Sequence, residues 1–62
     1  MIIKQVRELT NKDLNNLYVV IDNKKVKPTS CSLYNNVLEV VYFSDKLSTK
    51  FYTSDDIVHI KV

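Results

Sequence analysis

Apolar and polar residues alternate with a period of two along most of this chain. The pattern is clearest from Val37 onward, where VLEVVYF, LSTKFYT and IVHIKV are separated by SDK and SDD. A period of two puts successive side chains on opposite faces of an extended strand, so this stretch predicts a hairpin followed by a third strand. Leu17–Asp22 (LYVVID) has the same signature, with Leu17, Val19 and Ile21 on one face and Tyr18 and Val20 on the other. Lys25-Val26-Lys27 begins a return strand. Pro28 has no amide proton for a ladder, so it belongs at an edge or a bulge. Ser30–Tyr34 (SCSLY) continues in extended form, with Cys31 and Leu33 on one side.

The N-terminal segment is less one-sided. In Ile2–Leu9, Ile3, Val6 and Leu9 recur at every third residue, while Ile2, Ile3 and Val6 are β-branched. Eight residues without a cap make a poor helix, so a strand is expected there. Thr10-Asn11-Lys12-Asp13 is a capping-box pattern, with Asp in place of the usual Glu or Gln. It predicts one helical turn over Thr10–Asn16, with Leu14 directed at the core.

Gly and Ala are absent, which changes how the turns must be built. Wherever the backbone needs a positive φ, Asn or Asp must supply it. Asn15-Asn16, Asp22-Asn23 and Asn35-Asn36 stand where such turns are wanted. The same absence, beside abundant Asn and Lys, points to an AT-rich genome such as that of a low-GC bacterium or its phages.

The expectation is an all-β fold: a small SH3-like barrel or curled antiparallel sheet of five to six strands, with one or two single-turn helices. Residues 1–62 then form a single small β-barrel domain. The stretches LTNKDLNNLYVVI and FYTSDDIVHIKV carry a resemblance to the SH3-like barrels of phage and prophage accessory proteins. In such barrels a single turn separates the last two strands. The resemblance implies no active residue. The signature Trp, the ALYDY-type segment and the Pro-recognising aromatics are missing, so binding of Pro-rich peptides is not implied.

Sixty-two residues bury little surface, and small domains usually add a disulfide, a metal or self-association. One Cys excludes a disulfide within the chain, and one Cys with one His cannot fill a tetrahedral zinc site. Self-association is left. No apolar run approaches the length of a membrane helix and no signal-like segment follows Met1, so the expected setting is the cytoplasm of a bacterial host, without membrane contact. No cofactor is expected.

Candidate chemistry is thin. Asp55-Asp56 reads as a turn that caps backbone amides rather than as a metal or acid–base pair. Cys31 and His59 are read as packing residues, not a dyad. Two surfaces compete for a partner. If Leu17, Val19, Ile21, Leu38, Val40 and Tyr42 face inward, then Tyr18, Val20, Val41, Phe43 and Tyr52 face outward as an apolar patch. Such a patch suits a protein partner from host or phage, or a second copy in a homodimer. The runner-up is nucleic acid, held by Lys24, Lys25, Lys27 and Lys50 with Tyr34 as a stacking ring. A net charge of +2 argues against it.

Overall fold

At Pro28 the chain crosses from one sheet to the other, and its last strand returns to the first. The computed structural model describes residues 1–62 and contains seven strands: β1 (Ile2–Gln5), β2 (Leu17–Ile21), β3 (Lys24–Val26), β4 (Ser30–Tyr34), β5 (Val37–Phe43), β6 (Leu47–Tyr52) and β7 (Ile57–Ile60). All pairing is antiparallel. One sheet has the order β1-β7-β2-β3 and the other β4-β5-β6. The Lys27-Pro28-Thr29 link joins β3 in the first sheet to β4 in the second, and the Thr29 amide donates to the Val41 carbonyl at 2.8 Å. The all-β expectation holds. Two strands more than the lower count arise because β1 is separate and the return strand breaks at proline.

The turns follow from the absence of glycine. Asp22 and Asn23 have φ of 50° and 65°, and Asn35 and Asn36 have 49° and 60°. Two consecutive residues of positive φ make the turn whose twist matches a two-residue hairpin. The registers Ile21↔Lys24 and Tyr34↔Val37 show both hairpins closed in this way. Asn15-Asn16 is different. Asn15 ends the helix α1 (Asn11–Leu14) in right-handed geometry, and neither residue has a positive φ.

The capping box is present. The Asp13 amide donates to Thr10 Oγ1 at 3.4 Å, and the Thr10 amide donates to Asp13 Oδ2 at 3.0 Å. The expected strand over Ile2–Leu9 stops at Gln5, and a 3-10 turn follows over Val6–Glu8. The spacing of three explains this. A 3-10 turn repeats every three residues, so Val6 and Leu9 both point inward, and both are buried.

The core lies between the sheets. Leu17, Val19, Val58 and Ile60 come from the four-stranded sheet, Leu38, Val40 and Tyr52 from the three-stranded one, and Val6 and Leu9 close one end. Leu14, Ile21, Val26, Cys31, Leu33 and Tyr42 pack around them, half-buried. Burying a Val or Leu side chain contributes about 1.5–3 kcal/mol, so these few residues supply most of the stability. No helix is long and apolar enough to cross a membrane.

Candidate interaction surface

Alternation leaves each sheet with an outer face. On the three-stranded sheet the register stacks Ser32, Glu39 and Phe51 in one row, Ser30, Val41 and Thr49 in the next, and Phe43 with Leu47 in a third. Tyr34 and Val37 form a pair at the other end. The apolar members of this face are far from covered: Tyr34 is 75%, Phe43 63%, Leu47 62% and Phe51 63% exposed. Tyr34, Val37, Glu39 and Phe51 border a shallow notch of about 450 Å³, with Ser32 and Asn35 at its rim. Glu39 has no ion-pair partner, since Lys4–Asp13 and Arg7–Asp55 are the two salt bridges of the chain.

The outer face of the four-stranded sheet is of another kind. Ile3, His59 and Tyr18 form a row across β1, β7 and β2, and Val20 stands beside Lys25. Ile3, Val20 and Ile57 are exposed, but Tyr18 is half-covered and Lys27 Nζ lies 5.8 Å from its ring centroid. The ammonium thus stands over the ring face, where the ring's electrons attract a cation.

The structure therefore corrects the expected patch. Tyr18 and Val20 lie on one outer face, whereas Val41 and Phe43 lie on the other, with the core between them. Tyr52 is not outward at all. It pairs with Leu38, is 9% exposed and belongs to the core. Lys50 Nζ sits 5.2 Å from its ring centroid, and its hydroxyl is buried without a hydrogen-bond partner. Phe51 and Leu47 take the outward role given to Tyr52. Both were visible in the alternation of LSTKFYT, but that segment has apolar residues at both parities.

The basic set is not gathered on one face either. Lys25 projects from the four-stranded sheet, and Tyr34 projects from the three-stranded sheet. Lys50 alternates with outward-facing Thr49 and Phe51, so it leaves β6 on the opposite side. Lys24 lies at the Asp22-Asn23 turn and Lys27 is engaged with Tyr18. A groove tracking a phosphate backbone needs such groups in a line.

The acids and the thiol have structural partners. Asp56 Oδ2 accepts from the Thr53 amide at 2.8 Å and from Thr53 Oγ1 at 3.3 Å. Asp55 Oδ1 accepts from Arg7 Nη1 at 3.0 Å. The Val6 and Arg7 amides donate to the Asp56 and Ser54 carbonyls, so this turn ties the last two strands to the N-terminal segment. Asp13, bonded to Lys4 Nζ at 3.0 Å and to the Thr10 amide, is held below its ordinary pKa by those two contacts in that order. Cys31 Sγ donates to the Leu14 carbonyl at 3.4 Å, and burial pushes its pKa up. It faces the core side of the three-stranded sheet, whereas His59 faces outward from the other sheet, so the two are not brought together. No three His, Cys, Asp or Glu side chains cluster as metal ligands.

Compared with known proteins, the chain matches no family model, no curated protein and no solved structure.

Proposed function

We propose that this chain is a non-enzymatic protein-binding module that docks a partner on the outer face of β4, β5 and β6. The observation that carries this reading is the joint exposure of Tyr34, Phe43, Leu47 and Phe51 on one sheet face. Aromatic side chains are enriched at protein interfaces, and an apolar surface rimmed by polar groups marks such a site. Ser30, Ser32, Thr49 and Lys46 supply the polar surround. The face across the core has no exposed aromatic ring, and its Tyr18 is engaged by Lys27. That contrast favours the three-stranded sheet.

The phage or prophage accessory role, modulating a host or phage protein inside a bacterial cell, rests on the resemblance of the sequence and on an amino-acid composition without Gly or Ala and rich in Asn and Lys. Nucleic acid is the weaker reading, because Lys24, Lys25, Lys27, Lys50 and Tyr34 are spread over different faces.

The test is affinity capture from bacterial lysate, with and without nuclease, using wild type and a Phe43→Asp, Phe51→Asp double variant. The expected result is a captured protein that survives nuclease and is lost with the double variant. Capture that disappears with nuclease, or that is equal for both baits, overturns the reading.

A further inference from the structure

We infer that β6 is a self-association edge: two copies join β6 to β6, antiparallel, about a twofold axis through Thr49. Four strands end the two sheets, namely β1, β3, β4 and β6. Among them β6 is the longest, at six residues, and it makes backbone ladder bonds only to β5. The free side of β4 is approached by α1, where Leu14 accepts from Cys31. An open strand of this length presents unpaired backbone groups that another strand can complete.

Side-chain charge then separates the registers that pair the middle of β6. A twofold axis normal to the sheet pairs residues that share a face, so it must pass through a residue position. With the axis at Lys50, each ammonium stands opposite its own copy. With the axis at Ser48, Lys46 stands opposite Lys50 of the second copy. Like charges directly opposed destabilise a pair of strands. With the axis at Thr49, Ser48 faces Lys50, Lys46 faces Tyr52, and Leu47 faces Phe51 of the second copy, twice over.

This last arrangement also covers apolar surface. Phe43 and Leu47 are already cross-strand neighbours, at 63% and 62% exposure. Adding Phe51 of the second copy extends them into a three-residue apolar row on each side of the axis. The joined sheet has six strands, and Tyr34 and Val37 remain open at both ends. The occupant is thus a second copy of this chain, and the surface left over is still available to the partner proposed above. The inference goes beyond that proposal and does not depend on it.

Sedimentation velocity from micromolar to millimolar concentration tests it, with Thr49→Lys, Thr49→Glu and an equimolar mixture of the two. Thr49 is exposed, so both variants should keep the wild-type circular dichroism spectrum. Wild type should dimerise, and each variant alone should do so about tenfold more weakly or worse. The mixture should recover dimer, because only an axial position sets Lys against Glu in every heterodimer. A wild type that stays monomeric at millimolar concentration overturns the inference. So does a mixture no more associated than its components, or a single variant that dimerises like wild type. The lysate capture by the Phe43 and Phe51 face can succeed or fail under any of these outcomes, so the two readings fail separately.

Discussion

Leu38 on β5 and Tyr52 on β6 stand directly opposite each other and share the inner face of their sheet. This one pairing decides what the protein shows to its surroundings. With Tyr52 inside, Phe51 is outside, opposite Glu39, and Leu47 is outside with it. A shift of one residue in β6 would exchange the two sets.

The pairing predicts opposite sensitivities for two adjacent aromatics. Tyr52→Ala should cost about 3–5 kcal/mol, enough to unfold so small a domain, as expected for a large core side chain. Phe51→Ser should stay within about 0.5 kcal/mol of wild type in urea unfolding at a protein concentration low enough to keep both monomeric, as surface changes do. Equal losses at both sites would mean that the face of β6 is misassigned.

Tyr52 carries a second prediction through its hydroxyl, which is buried without a partner. An unsatisfied buried polar group costs about 1–3 kcal/mol, and removing it relieves that cost. Tyr52→Phe should therefore raise the urea midpoint. A lowered midpoint would show that the hydroxyl is bonded in solution.

Acid should loosen the N-terminal region through Asp13. Lys4 and the Thr10 amide hold its carboxylate below the ordinary value of 3.8. A depressed pKa means the stabilisation is complete above that value and is lost as pH falls through the lower folded value. Thermal melts of wild type should show this acid loss, and Asp13→Asn should show a smaller pH dependence with lower stability at neutral pH. An unchanged acid limb in the variant would assign the loss to other carboxylates.

The hairpin turns give a third kind of prediction. Asn36 has φ of 60°, which glycine adopts without cost and a β-branched residue adopts poorly. Asn36→Gly should leave stability unchanged or slightly raised, whereas Asn36→Val should lower it by about 1–2 kcal/mol. Denaturant melts of the three proteins rank them.

Much of this architecture was legible in the residues because local chemistry had few alternatives. Without glycine, Asp22-Asn23 and Asn35-Asn36 were natural places for positive φ. Thr10 and Asp13 announced their reciprocal hydrogen bonds, and the alternation in LYVVI and VLEVV set Leu17, Val19, Leu38 and Val40 inward. The face of β6 was harder to read. Leu47 and Phe51 compete with Tyr52 for the core, and the Ser44–Lys46 loop does not declare its register in its composition. The division of the outward patch was hidden for a related reason. Period two says that Tyr18 and Phe43 both turn from the core, but only sheet order says that they turn in opposite directions. The 3-10 turn was written in the spacing of Val6 and Leu9, yet their β-branched neighbours argued for strand.

Photocrosslinking in bacterial cells, with a photoreactive phenylalanine at Phe51 or at His59, separates a partner docked on the three-stranded sheet from one docked on the other. These positions sample the two outer faces and leave the core intact. A crosslink from position 51 to a protein other than this chain is expected, beside any to a second copy across β6, with little or none from position 59. Crosslinks only from position 59, or equally from both, would rule out docking on β4, β5 and β6.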